Sequence, residues 1–363
     1  MARSSGRVPR ETWRGRQTLP AFLALFLALA CSSGSVAGRG EAPPGAPDGS
    51  ASAPARPPPL RPVKMSFATD SAISLPVWIA QDQGLWQKYG IDVSLTYLRG
   101  GATNTQALLS GSIDMSLSGA VAAITSNLAG ADVRFFATTA VLANQAIVTQ
   151  PSITNPQQLR GETIGLGVAG GSSTPQLAEA LRRMGLSLSD VRMLDIPIQG
   201  DRLAALMNGS VVVIMVPQAV TEQAVREGYY VMMDLLHEEI PNQGQSMVAL
   251  QSYIEQNPAI VKDVLRGFCE AIYVELTDRA RAEESIARWA KVDDPRRMDS
   301  MYRASADLMQ KKPYPSLAGI QSILDGLAEQ TPGARTARPE QFVNDALLRQ
   351  LDDEGFIDAL WQR

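Results

Sequence analysis

Histidine and cysteine are almost missing from this chain of 363 residues, which holds one histidine, His237, and two cysteines, Cys31 and Cys269. Structural metal sites built from histidine and cysteine are therefore excluded by count. His237 lies between Leu236 and the pair Glu238-Glu239, the setting of an exposed loop residue rather than a general base. Cys269 shares an apolar helical face with Leu265 and Ile272, where a small buried hydrophobe is expected rather than a reactive thiol. There is no Gly-x-Ser-x-Gly elbow, and no basic run beyond the extreme N-terminus points to nucleic acid. The formal Gly-x-Gly-x-x-Gly from Gly165 to Gly170 lies within and just after a strand. It has no acidic partner at the expected distance, so no dinucleotide cofactor is expected. Neither a catalytic residue, a metal nor any other cofactor is expected.

What is present at the N-terminus reads as an address. Arg3, Arg7, Arg10, Arg14 and Arg16 precede the apolar run Ala21–Ala30, which is too short for the ~30 Å core of a bilayer. Ala28-Leu29-Ala30-Cys31 resembles a bacterial lipoprotein box, so residues 1–30 are expected to be a signal peptide and Cys31 a lipidation site. Ordinary signal cleavage is the alternative. Removing residues 1–30 takes away five arginines and one glutamate, moving the net charge from −4 to −8. Residues 31–62, rich in Pro, Ala, Gly and Ser, have little to bury and are expected to form a disordered tether. The protein is thus expected to be extracytoplasmic, a monomer held at a membrane by its lipid.

From Val63 onward short strands alternate with helices, the pattern of parallel βαβ units. Strands are expected at 63–68, 93–97, 113–118, 133–139, 146–149, 163–168, 192–196, 211–216 and 247–250. Pro76 suits a first helical position with Ser74 as cap, and helices are expected at 103–110, 121–128 and 176–184. After Leu250 the chain turns helical, led by the stripe Ile260, Val264, Phe268, Ile272 and Leu276.

The chain also repeats. Gln106-Ala107-Leu108-Leu109-Ser110-Gly111-Ser112-Ile113 matches Ala204-Ala205-Leu206-Met207-Asn208-Gly209-Ser210-Val211 in apolar character and in the Gly-Ser turn, at a spacing of 98. A supersecondary unit repeated once at that distance suggests two similar lobes. Asp114 of the first copy corresponds to Val212 of the second.

In open α/β sheets, turns at the carboxyl ends of strands hold ligands. Such turns here are small and polar. The first lobe offers Thr69, Asp70, Ser71 and Ser74, then Gly101 and Thr103, then Ser118 and Gly119. The second offers Gly171, Ser172 and Ser173, then Asp201. Facing one another, they would line a cleft for a small molecule held by hydrogen bonds. Arg99 and Arg202 are the cations beside these turns, and each is expected to be solvated.

The run Pro76-x-x-x-Ala80-x-x-x-Gly84-Leu85-Trp86-x-x-Tyr89-Gly90-Ile91-x-Val93, followed by Gly100-Gly101 and Gly111-Ser112-Ile113-Asp114, resembles the solute-binding proteins of ABC importers. Within them it is similar to the group taking sulfonates, nitrate, taurine or pyrimidine precursors of thiamine, over residues 63–276 and more weakly beyond. The resemblance implies the two-lobed periplasmic-binding-protein fold, an α/β fold of two Rossmann-like lobes. Its first lobe would be residues 63–139 and 247–363 and its second 140–246, with crossing strands near 138–144 and 245–250. It further implies a non-catalytic receptor that closes on a small-molecule ligand and docks on a permease with its ATPase. Two alternatives remain open: an enzyme on this fold, akin to pyrimidine-precursor synthases or a dehydratase, and a sensor ectodomain or orphan receptor. The synthases' cysteine-rich motif is absent.

Overall fold

The computed structural model describes residues 59–168, 171–328 and 331–363. The expected signal peptide, Cys31 and most of the expected tether lie outside the described residues. The tether's last two expected residues do not belong to it: Arg61 and Pro62 open the first strand, where Arg61 N–H donates to Gly90 O at 2.9 Å and its guanidinium pairs with Asp263.

The first half runs β1 (Arg61–Phe67), α1 (Leu75–Asp82), α2 (Leu85–Lys88), β2 (Ile91–Tyr97), α3 (Gly101–Leu109), β3 (Met115–Gly119), α4 (Ala120–Leu128) and β4 (Val133–Thr138). The second runs β5 (Gln145–Thr149), β6 (Thr163–Leu166), α5 (Ser173–Arg183), β7 (Arg192–Asp195), α6 (Gln199–Met207), β8 (Val213–Pro217), α7 (Gln218–Arg226) and β9 (Tyr230–Asp234). β10 (Gln245–Leu250) then leads into α8 (Gln251–Gln256), α9 (Pro258–Thr277), α10 (Arg279–Ala290), α11 (Pro295–Ala306), α12 (Leu317–Leu327), α13 (Ala346–Asp353) and α14 (Phe356–Leu360).

Two five-stranded sheets result, ordered β2-β1-β3-β10-β4 and β7-β6-β8-β5-β9. They have one topology: three parallel strands, then an antiparallel strand received from the other half, then an edge strand. Even the irregularity is shared, since the register shifts at Met247/Val248 in β10 and at Ile147/Val148 in β5. The repeat therefore extends past the expected match to α7 and β9, which the sequence reading did not identify. Its signal there is weak: β9 is an edge strand in which no residue is fully buried, so burial imposes little alternation on it.

The core has four parts, one on each face of each sheet. Trp78 and Trp86 of the first helices, with Phe268 and Ile272 of α9, bury completely against β1 and β10. The side chains of α3, α4 and α12 fill the opposite face. In the second half α5 covers one face and α6 the other. Cys269 is buried here as expected, and burial pushes its thiol up to about 12.

The chain passes between sheets at residues 139–144 and 235–244, which pair with each other: Ala143 N–H donates to Ile240 O and Asn242 N–H to Val141 O. β10 itself, Gln245–Leu250, is a full strand of the first sheet, so the second crossing precedes it. α12 belongs to the first lobe's core but braces this crossing. A Cβ on Gly319 would come within 2.1 Å of the Asn242 carbonyl carbon, and one on Gly326 within 2.7 Å of Pro175 Cα in α5.

Candidate functional site

β4 ends at Thr138, beside Ser246, and β10 begins at Gln245, opposite Gly119 at the end of β3. Likewise β5 begins at Gln145, opposite Pro217 at the end of β8. Both crossings thus join the sheets at the carboxyl ends of their parallel strands. The turns beyond those ends flank the junction, and helices α3, α4, α5, α6 and α7 start there with unpaired backbone donors.

On the first lobe Thr69–Ser74 is a turn bonded to itself. Thr69 Oγ1 and Ser71 Oγ lie 3.0 Å apart, and Ser74 Oγ donates to Thr69 O at 2.8 Å. Ser74 precedes α1 but its side chain does not cap it, because that hydroxyl is already engaged. Asp70 and Ser71 are exposed. α3 starts at Gly101, two residues before the expected Thr103, because Gly100 takes a φ of +85° that favours glycine. A Cβ on Gly101 would meet both Gly119 O and Ala122 Cβ at 3.3 Å, so the first turn of α3 lies close against the start of α4. Thr103 faces outward. Ser118 is fully buried and its Oγ has no hydrogen-bond partner, nor has Oε1 of Gln245.

On the second lobe α5 starts at Ser173, ahead of the expected Gln176. Ser172 is exposed at the N-cap, and Gly171 is required, since a Cβ there would sit 2.9 Å from Val168 O. Ser173 is buried and accepts from Gln145 Nε2 at 3.2 Å, while Gln145 Nε2 also donates to Gln176 Oε1 at 3.0 Å. Asp201, in the first turn of α6, points to solvent.

The residue beside Asp201 overturns one expectation. Arg202 is not solvated: it is 4% exposed, the one buried cation among the described residues. Its Nε has no hydrogen-bond partner, and among the described residues no carboxylate pairs with the guanidinium. Burial alone lowers its pKa below the usual guanidinium value. Its Nη1 and Ser173 Oγ surround the same point, 3.4 and 3.5 Å from where a Cβ on Gly167 would stand at the end of β6. Helical period was the available signal: Arg202, Leu203 and Leu206 share the inner face of α6 while Asp201 falls outside it. Arg99 is exposed as expected.

A further pocket, of about 490 Å³, runs along α7 from Gln218 to Arg226, with Arg303 of α11 at its other side. None of the residues expected to bind ligand lines it. His237 is exposed in the turn after β9, its backbone N–H donating to Asp234 Oδ1 at 3.2 Å.

Comparison with known proteins agrees with this architecture. A protein of Brucella abortus, provisionally named as a binding protein, is 23% identical over 248 residues, covering 64% of this chain and 72% of its own. The periplasmic aliphatic sulphonate binding protein of Escherichia coli superposes with a TM-score of 0.63 at 21% identity, over 78% of this chain and 92% of that one. The periplasmic nitrate-binding protein of Synechocystis gives 0.59 at 14% identity, over 81% and 89%. The fold is thus that of the periplasmic binding proteins. The model of the NMT1/THI5-like family matches residues 72–276, from the turn before α1 to the end of α9, and the chain belongs to that family.

Proposed function

We propose that this protein is the solute receptor of an ABC-type importer. It binds a small polar or anionic organic molecule, of sulfonate, carboxylate or pyrimidine-like type, between its lobes and hands it to a permease without changing it. One observation carries the reading: two sheets of one topology turn the carboxyl ends of their parallel strands toward a shared, doubly stranded crossing. Small polar groups and helix starts gather there from both sides, and the paired segments 139–144 and 240–244 can act as a hinge. The sulphonate- and nitrate-binding proteins of like fold support the same role. The N-terminal address fits it too, with Cys31 lipidated and residues 1–30 removed, so that the receptor works as a membrane-held monomer outside the cytoplasm.

Ligand binding should draw the lobes together. The test is a thermal-shift screen of sulfonates, carboxylates, nitrate and pyrimidines, followed by small-angle scattering with each compound that raises Tm. Ligand at 100 times its Kd adds about 2.7 kcal/mol of stability, well within reach of the screen. A stabilising compound is expected to reduce the radius of gyration and to be recovered chemically unchanged. Binding without compaction, or turnover of the compound, would contradict the receptor role.

A further inference from the structure

The repeat supplies a comparison residue for Arg202. At the spacing of 98, Arg202 of α6 corresponds to Asn104 of α3. Asn104 is fully buried and fully engaged. Its Oδ1 accepts from Ser66 Oγ at 2.6 Å and from Ser116 Oγ at 2.9 Å, and its Nδ2 donates to Gly100 O at 2.7 Å and to Leu98 O. Ser66 and Ser116 face each other across β1 and β3, and the residues facing each other at that level of β6 and β8 are Gly165 and Ile214. The second lobe has thus lost both hydroxyls of the socket and gained a longer, charged side chain. That chain reaches past Gly165 to Gly167, at the sheet's carboxyl end.

A buried guanidinium with no counter-charge is costly to a fold. Asp201, its neighbour in the chain, is exposed and does not relieve it. The start of the nine-residue α6 adds to the local positive potential. Five fixed N–H donors in one plane match a carboxylate or sulfonate. The first lobe contributes the neutral groups Ser118 Oγ and Gln245 Oε1, both without partners.

We propose that Arg202 is the charge anchor of the cleft. The ligand is a small organic acid whose single oxyanion seats on Arg202 and Ser173 of the second lobe while its neutral part meets Ser118 and Gln245 of the first. This assignment rests on the receptor reading and narrows it, setting aside neutral pyrimidines and cationic solutes.

The test uses the full chain and an Arg202→Met variant, with butyrate and butane-1-sulfonate set against butyramide and butylammonium at matched ionic strength. Without any solute, the variant is expected to melt at the wild-type temperature or above it, because an apolar chain of similar length replaces an uncompensated charge. At least one of the acids is expected to raise Tm of the wild type, with butyramide and butylammonium inert, and affinity is expected to fall about 30-fold or more in the variant. A marked drop in the variant's own Tm would reveal an internal partner and overturn the assignment. So would an equal shift with butyramide or butylammonium, an undiminished shift in the variant, or no shift with either acid. Small-angle scattering separates the two readings. Acid binding through Arg202 without compaction keeps the anchor and removes the receptor. Compaction by a neutral solute, unaffected by Arg202→Met, keeps the receptor and removes the anchor.

Discussion

The two lobes are built alike but treat their buried polar groups differently. In the first, the polar residue on the inner face of the helix after the second strand, Asn104, is satisfied by two hydroxyls and two carbonyls. In the second, Arg202 stands at the matching place without a partner among the described residues. The same contrast appears, reversed, at the glutamines that open the antiparallel strands. Gln145 is bonded to Ser173 and Gln176, whereas Gln245 keeps a free acceptor beside the free hydroxyl of Ser118. Each lobe thus seals one position of the repeated frame and leaves another unsatisfied. The unsatisfied ones lie at the carboxyl ends of strands, Arg202 beside Gly167 after β6 and Gln245 with Ser118 at the end of β3. Internally satisfied polar networks serve the fold, whereas buried polar groups left over in a well-packed frame are free to serve a ligand.

The contrast can be broken by substitution. The largest effect is expected for Asn104→Ala, which strips Ser66 and Ser116 of an acceptor and two carbonyls of a donor. About 3 kcal/mol should be lost in urea unfolding, and a loss under about 1 kcal/mol would show that the network is not structural. Arg202→Met, which removes an unpartnered charge from the second lobe, should by contrast cost no stability.

Next is Gly319→Ala, whose Cβ would run into the Asn242 backbone at 2.1 Å. The first lobe cannot then brace the crossing through α12, and about 2 kcal/mol should be lost together with a larger radius of gyration. An unchanged radius would separate α12 from the hinge.

A smaller effect is expected from Glu275→Gln. Glu275 is fully buried in the first lobe's helical layer, away from the strand ends, and accepts from Ser305 Oγ at 2.6 Å. Burial pushes its carboxyl up to about 8, opposed by the Ser305 hydrogen bond. A pKa raised on folding favours the uncharged form, so its contribution is full below the unfolded value and lost as pH rises through about 8. Wild-type Tm should therefore fall relative to the variant between pH 5 and 8, in melts across roughly that span, with ligand affinity unaltered. Parallel curves would show that Glu275 does not titrate there.

A small stability change is also expected for Ser118→Val, which gives the first lobe the residue found at the matching Val216. With no hydrogen bond to lose, the change should stay under about 1.5 kcal/mol.

The architecture was largely legible in the sequence because its determinants are local or periodic. The Gly-Ser turns at Gly111 and Gly209 and the doubly covered run Val211–Val216 each follow from composition over a few residues. What escaped depends on distant partners. The edge strand β9 is too exposed to show alternation, and the true starts of α3 and α5 are set by the positive φ of Gly100 and by close backbone contacts at Gly101 and Gly171. Arg202 escaped for a related reason. Its burial comes from the 3.6-residue period of α6, but its lack of a partner depends on Gly165 and Ile214, which the sequence does not place beside it.

The proposed receptor requires both lobes to hold one ligand. Calorimetric titration of an organic acid that stabilises the wild type, repeated on Ser118→Val and on Ser172→Trp, tests this directly. Ser118 is on the first lobe and Ser172 at the exposed N-cap of α5 on the second. The expected result is a loss of affinity in both variants, each melting near the wild-type temperature. Unchanged affinity in either variant would contradict a site shared between the lobes.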